Sequence, residues 1–481
     1  MKRLFFTLIV AAAAIINTSA QTTERLTHTQ VWNYDIPKLD AMYKVWNERV
    51  QASPKDEQAW RNLFEIYEAR KCITPVTRDT LKATNGEVFI PANTKEQEAY
   101  KKACNIMPRM EQAIPDSYTF NYCAYESDYE FDKYRGEIYE MWQYQQFHNK
   151  FADRAIELLP KDAQADDYER WASYLYLYMD TVRLKDVLTR YYESGLYPAV
   201  ALQYHFNELA GMDENAVYMG WYEGDIIGKL IIQYVLHERP DVTLYCENSA
   251  HWRPYLEALF RQIGLSETFF DPDGTWANEN DQIDELRYIA RYICEHSTRP
   301  VYCSASSLSM FILGTGLPDD IKACLYNEGL TMRYSAKPYD NQAVKRRNVE
   351  ERYLMEYLLM SFSPWTDKVN TMRFQTSPDV LAFNYLLLFN DLLPYYKKHN
   401  PQRHAWLNRL FTRILSQIVA KGIGGYGMRG RMFYIKKSDE GGFHYEVTEE
   451  PYDSTDENDN EATQQPKRVL IKTEPETFPH P

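Results

Sequence analysis

The residues best able to do chemistry sit where short apolar runs give way to polar ones. Trp221, Tyr222, Glu223, Gly224 and Asp225 follow Ala216-Val217-Tyr218-Met219. Glu247, Asn248 and Ser249 follow the run Pro240 to Cys246, and Ser304, Ser306 and Ser307 follow Pro300-Val301-Tyr302-Cys303. Read as parallel strands, these runs place the polar residues at their carboxyl ends, where open α/β sheets bind ligands. Glu223, Asp225 and Glu247 would then form an acidic cluster whose oxygens suit a hard cation. A plainer reading is preferred: Asp225 caps the helix that follows, and Glu223 stays solvated. Trp221, Glu223, Asp225, Glu247 and Ser304 are the candidate ligand-binding residues. No catalytic residue, metal ligand or cofactor is assigned.

Standard signatures are missing. The first crossover carries neither GxGxxG nor GxxxxGK[ST], so there is no ready-made phosphate cradle. There is no GxSxG elbow and no HExxH. Cys294-Glu295-His296 alone is a weak metal signal, and none of the seven cysteines forms CxxC. The odd count leaves at least one thiol unpaired. Spacing leaves open a bridge among Cys72, Cys104 and Cys123, and buried free thiols are expected for most of the seven.

The elements that must position these residues run strand, helix, strand, helix from Asp213 to Gly264. Ala216 to Met219 is a buried strand, Asp225 to His237 a helix and Pro240 to Cys246 a second strand. Trp252 to Ile263 is a helix closed by Gly264. A further helix over Asn280 to His296 leads to a third strand at Pro300 to Cys303. Ile321 to Glu328, Gly329 and Leu330 to Tyr334 read as helix, turn and edge strand. The alternation predicts a small parallel sheet with crossover helices.

On either side the chain is helical. Trp60, Leu63, Phe64 and Tyr67 form one helix face, with Ser53 as N-cap, Pro54 in the first helical position and Asp56 in the first turn. Thr74 to Asn93 reads as a long loop with a short strand at Val88-Phe89-Ile90, and Thr94-x-x-Gln97 as a capping box. The aromatics between Tyr118 and Tyr192 suit packing between helices better than a carbohydrate-stacking surface. Downstream, Asn341 to Phe362 is one helix. Ser377-Pro378 opens another that Pro394 kinks or ends, and Asn400-Pro401 opens a last one ending near Gly422. A small hairpin follows Gly424. From Glu449 the tail reads as disordered, with seven acids and no base up to Glu461.

The N-terminus has the form of a signal peptide: Lys2 and Arg3, an apolar run from Leu4 to Ile16, and Thr18-Ser19-Ala20 before the cut. The run is shorter than the roughly 20 residues of a membrane span. The formal charge of −14 becomes −16 once Lys2 and Arg3 leave, which disfavours nucleic acid. The expected fold is mostly α with a central α/β unit. Its order is signal peptide (1–20), helical repeat region (21–210), α/β domain (211–340), C-terminal helical region (341–425), then hairpin and acidic tail (426–481).

Two resemblances sharpen this. Trp60-x2-Leu63-x3-Tyr67 resembles the first helix of a tetratricopeptide repeat. Its junction Pro54-Lys55-Asp56-Glu57-Gln58-Ala59 recurs as Pro160-Lys161-Asp162-Ala163-Gln164-Ala165, close to three periods of about 34 residues later. An irregular helical bundle remains the alternative. Separately, Leu202-Gln203-Tyr204-x2-Asn207-Glu208-Leu209, Asp213-Glu214-Asn215-Ala216-Val217, Gly224-Asp225 and Arg239-Pro240-Asp241-Val242 follow a recurring order. With Arg299-Pro300-Val301-Tyr302 and Glu328-Gly329-Leu330-x2-Arg333, that order resembles the soluble extracytoplasmic part of a bacterial family of multi-spanning, glycosyltransferase-C-like membrane proteins of largely unknown function. Tyr222-Glu223-Gly224-Asp225 replaces that family's Asn-rich turn, and no membrane domain is present, so glycosyl transfer is not carried over.

The resemblance implies a fold and a Gram-negative envelope address, periplasmic or extracellular. The expectation is a non-enzymatic binding or scaffold module for a protein or envelope glycan, with no transmembrane segment in the mature chain and its oligomeric state open. The alternative is a ligand-binding or metal-assisted enzyme domain using the acids at the strand ends.

Overall fold

The computed structural model describes residues 25–26, 31, 34–72, 106–127, 129, 149–220, 223–250, 252–266, 282–304, 319–359 and 378–420, together with four strands between 425 and 470. The residues expected to form a leader, the loop and strand expected at 74–93, the capping box expected at 94–97, Cys104, Trp221, Ser306 and Ser307 lie outside the described residues. The chain packs as two units, which divide at Asp162.

The first unit holds α1 (Ile36–Ala52), α2 (Glu57–Cys72), α3 (Met107–Ala113), α4 (Tyr118–Glu126) and α5 (Lys150–Leu158). Helices α1 and α2 pack together across a tight turn, and α4 packs on α2 and α5. The cap of α2 differs from the sequence reading. The Ser53 amide closes α1 on the Arg49 carbonyl at 2.8 Å, so Ser53 belongs to the helix that is ending. Asp56 caps α2 instead, accepting from the Ala59 amide at 2.9 Å. Pro54 sits in the turn, where its carbonyl accepts Trp60 Nε1 at 2.9 Å.

In the second unit, α6 (Ala165–Leu177) begins with a Gln164/Asp167 capping box. Then come α7 (Thr181–Glu193), capped by Asp180, and α8 (Ala199–Gly211). All three pack on the crossover helix α9 (Glu223–Tyr234), which joins β1 (Val217–Gly220) to β2 (Thr243–Cys246). Helices α10 (Arg253–Ile263) and α11 (Gln282–His296) lead to β3 (Val301–Cys303). Gly264 ends α10 in the left-handed region, φ 77°, as expected of a glycine C-cap.

The sheet is mixed, with order β2-β1-β3-β5-β4. β1 pairs in parallel with both β2 and β3, as the alternating pattern predicts. The expected helix at 321–328 stops after α12 (Asp319–Lys322). β4 (Leu325–Asn327) is the edge strand and β5 (Met332–Tyr334) lies inside it, antiparallel to both neighbours. The hairpin is too short to announce itself by periodicity.

The outer edge of the sheet explains part of the tyrosine content. Tyr176 donates its hydroxyl to the Leu244 carbonyl at 2.7 Å, and the Tyr255 hydroxyl accepts the Cys246 amide at 2.7 Å. Two side chains thereby satisfy backbone groups of the edge strand β2 that would otherwise invite pairing with another chain. Tyr122, Tyr168, Tyr174 and Tyr191 are likewise buried, which is the packing use expected from their spacing.

Helix α13 (Asn341–Arg347) is much shorter than the 341–362 expected. It passes into a π-turn at Asn348–Arg352 and ends at Tyr353 in extended backbone. The cause is tertiary. Asn348 Nδ2 donates to the Glu328 carbonyl at 2.7 Å and the Gly211 carbonyl at 3.2 Å. The Tyr353 hydroxyl accepts the Leu330 amide at 3.2 Å, in a slot where a side chain on Gly211 or Gly329 would collide with it.

Helices α14 (Pro378–His399) and α15 (Pro401–Ala420) start at the expected prolines, and Pro394 is carried inside α14. A second, antiparallel sheet follows: β6 (Gly425–Met428), β7 (Arg431–Lys437), β8 (Phe443–Glu449) and β9 (Arg468–Leu470). β9 falls in the stretch read as a disordered tail, a correction that only its pairing with β8 reveals. β8 packs against α15. Among the described residues no helix is long and apolar enough to cross a membrane.

Candidate functional site

The carboxyl ends of β1, β2 and β3 bring some of the candidate residues together. Ser304 follows β3 and donates its hydroxyl to Asp225 Oδ2 at 3.3 Å, while its amide bonds to the Met219 carbonyl of β1 at 2.9 Å. Asp225 lies within the first turn of α9 rather than at its cap, because the helix already begins at Glu223. Glu247 opens a short 3-10 turn after β2 and is 1 % exposed; Asp225 is 7 % and Ser304 1 % exposed. The backbone of Glu223 is placed in α9, while its side chain, like Trp221, lies outside the described residues. Asp225 and Glu247 therefore face inward. Among the described residues, no group of three His, Cys, Asp or Glu side chains is arranged to hold a metal ion.

Glycine marks why the strand end is narrow. A side chain at Gly220 would meet Asp225 Cβ at 2.8 Å and Ile226 Cδ1 at 3.1 Å. In a dinucleotide site such a glycine admits phosphate; here it admits the protein's own helix. Glu247 also loads its buried surroundings. Burial, with the nearby Glu247 carboxylate adding to it, pushes the Tyr245 hydroxyl and the Cys294 thiol well above their ordinary pKa. Cys303 is raised by burial, then by Cys294 and Glu247. Cys123, Cys246, Cys294 and Cys303 are buried free thiols, and Cys324 is a half-buried one.

Directly behind the strand end lies a buried ionic network that sequence reasoning missed. Lys229 on α9 is fully buried and donates to Glu208 Oε2 at 2.5 Å, to His205 Nδ1 at 2.9 Å and to the Asp225 carbonyl at 2.8 Å. Three acceptors match the three protons of an ammonium. Tyr218 of β1 donates to Glu208 Oε1 at 3.1 Å, and its ring lies 4.2 Å beneath Lys229 Nζ. Burial is the largest single influence on Glu208 and opposes its charge, but the Lys229 ammonium and the His205 ring together outweigh it and hold the carboxyl below its ordinary pKa. Lys229 itself is lowered, since burial exceeds the attraction of Glu208 and Asp225. Burial and the Lys229 cation lower His205 to about 4, so at neutral pH it is uncharged and accepts at Nδ1. The ring fits because α9 has a glycine there: a side chain on Gly228 would stand 2.1 Å from His205 Cδ2. The available signal was a lysine in the apolar run Ile226 to Leu236, flanked by a His-x2-Glu spacing on α8.

Arg299, Arg239, Asn207 and Glu328 make internal bonds of the fold. Arg299 donates to the carbonyls of Asn215, Ala216, Asp241 and Gln262, tying together the amino ends of β1 and β2. Arg239 forks onto Asp241 and reaches the Leu209, Met212 and Asp213 carbonyls. Asn207 holds the Leu354 amide and carbonyl at 2.8 and 2.7 Å, and Glu328 accepts from Tyr302 and Tyr339.

A groove of about 530 Å³ lies away from the strand ends, along α15. Leu359, Trp406 and Leu410 give it an apolar floor, and Arg409 and Arg413 stand exposed at its rim. Arg403 lies over the Trp406 ring at 5.8 Å. Among the described residues nothing pairs with Arg409 or Arg413. The sequence signal was available: Leu392 to Ser438 holds ten Lys and Arg and no acid, in a chain of net charge −14. No protein-family model matches the chain, and no curated protein or solved structure is significantly similar to it.

Proposed function

We propose that the protein is an exported, non-enzymatic module of the bacterial cell envelope, in which tetratricopeptide-like helical hairpins and the α/β unit bind or scaffold a protein or glycan-bearing partner. The observation that carries this reading is the inward orientation of the strand-end residues. Asp225 and Ser304 bond to each other, Gly220 is closed by α9, and Lys229 is neutralised within the core. Polar groups held this way stabilise a fold, whereas a site must leave some of them directed at a ligand. The leader-like N-terminus and the resemblance of 202–334 to an extracytoplasmic domain support the address.

Photo-crosslinking residues introduced in intact cells at exposed Val182, Tyr357 and Arg409 test it. A specific envelope partner is expected from at least one position, and adducts no different from those of an unrelated exported protein count against it. The alternative, a ligand site on Asp225, Glu247 and Ser304, predicts that a divalent cation or nucleotide sugar raises the melting temperature and that Asp225→Asn abolishes the rise.

A further inference from the structure

We propose that His205, Glu208 and Lys229 form an acid-sensitive latch, which holds α9 on α8 at neutral pH and lets it open when His205 takes up a proton. The geometry sets the resting state. Lys229 Nζ on α9 stands 2.9 Å from His205 Nδ1 and 2.5 Å from Glu208 Oε2, both on α8. An ammonium has only protons to offer, so Nδ1 carries none and the ring is neutral. The same nitrogen lies 3.1 Å from Glu208 Oε2. A proton on Nδ1 would turn to that oxygen, and one carboxylate would then serve two adjacent cations. Lys229 is 0 % and His205 3 % exposed, so the cluster would pass from neutral to a net positive charge without solvent to spread it.

The surroundings leave that charge in place. On α9, Asp225 gives Lys229 its carbonyl, while its carboxylate accepts from Ser304. The other described groups around the ring are neutral. Tyr204 of α8 stands edge-on to it at 5.6 Å and is held by Asn384 and Tyr385 of α14. Tyr218 of β1 donates to Glu208, and the Tyr197 hydroxyl shares the space over Gly228 with the ring. Tyr191 of α7 packs on Tyr197 and donates to Glu169 of α6. Burial and Lys229 accordingly lower His205 from 6.5 to about 4. An opened seam returns the ring to water and to its ordinary value. Between those two values the open form therefore binds a proton that the closed form refuses. Its share should rise about a hundredfold from pH 7 to pH 4. The latch does not depend on whether the protein is a scaffold.

Native thiols test this from both faces of the sheet. Tyr218 lies beneath Lys229 and pairs with Leu244, so Cys246, two residues on, shares the face that α9 covers. Cys303 pairs with Met219 and lies on the opposite face, and Cys123 belongs to the first unit. All three are buried. The full chain is labelled with dithiodipyridine, which reacts with thiols in acid, and each rate is taken relative to the same thiol in the urea-unfolded chain at that pH. From pH 7 to pH 4 the rate at Cys246 should rise about a hundredfold and return on neutralisation. Cys303 and Cys123 should change by less than about threefold. In His205→Gln, whose amide accepts from Lys229 but takes up no proton, the rise at Cys246 should also fall below about threefold. The ratio between the two pH values is what is read, so a faster baseline in the variant does not obscure it. Continued protection of Cys246 at pH 4, labelling of all three thiols together, or a rise in His205→Gln as large as in wild type overturns the proposal.

Discussion

Replacing Lys229 with Met should destabilise the second unit more than almost any other single change. Lys229 is fully buried and Glu208 is 2 % exposed at its side chain, so solvent offers no substitute partner. The methionine fills similar volume, and the loss is electrostatic: Glu208 keeps only the Tyr218 hydroxyl and the His205 ring as near partners. Breaking a buried pair in this way costs about 3–5 kcal/mol, against a total stability of about 5–15 kcal/mol. Removing both charges with Lys229→Met and Glu208→Gln leaves no uncompensated ion. The double variant should therefore be less impaired than the sum of the singles, with a coupling of about 2–3 kcal/mol. Hydrogen exchange of the α9 and β1 amides in increasing urea reads this unit without assuming that the two units unfold together. A Lys229→Met loss below about 1 kcal/mol, or simple additivity in the double variant, would refute the network as an ion pair.

Two further predictions follow from the same cluster. His205 titrates near 4 in the folded protein, because burial and Lys229 lower it from 6.5. Between those values the unfolded chain binds a proton that the folded chain refuses, so stability should fall by about 3 kcal/mol as pH drops from about 6.5 to 4. Urea midpoints measured across that range check this, and a His205→Gln profile with an unchanged slope would assign the loss elsewhere. Gly228→Ala should destabilise by about 1–3 kcal/mol even though alanine favours helix by about 1 kcal/mol, since its methyl would stand 2.1 Å from the His205 ring. A thermal melt equal to or above wild type would contradict that packing.

Local features of the chain were legible before any coordinates. The prolines that open α14 and α15, the glycine that ends α10, and the alternation of β1, α9 and β2 are each written within a few residues of where they act. Their cause is backbone geometry and periodic burial. Arg239, Arg299 and Glu328 each have a concrete task as an internal bond of the fold. The candidate site was legible only as a location. Sequence order put Asp225 and Ser304 at strand ends, and it could not say that they turn toward each other.

What required the tertiary structure has a common form: partners far apart in the chain. Asn348 unwinds its helix early because Gly211 and Glu328 offer it carbonyls. Strand β9 exists through its pairing with β8, across a segment that composition alone reads as disordered. Lys229 looked like a charge that interrupts an apolar helix, and Glu208 and His205 make it the centre of the core. The prolines that open α14 and α15, the glycine cap of α10 and the alternation of β1, α9 and β2 depend on neighbouring residues, and the sequence by itself settled those. Whether a buried charge is a ligand site or a structural one depends on which distant groups complete its hydrogen bonds. For this protein, only the packing of α8 against α9 decided that.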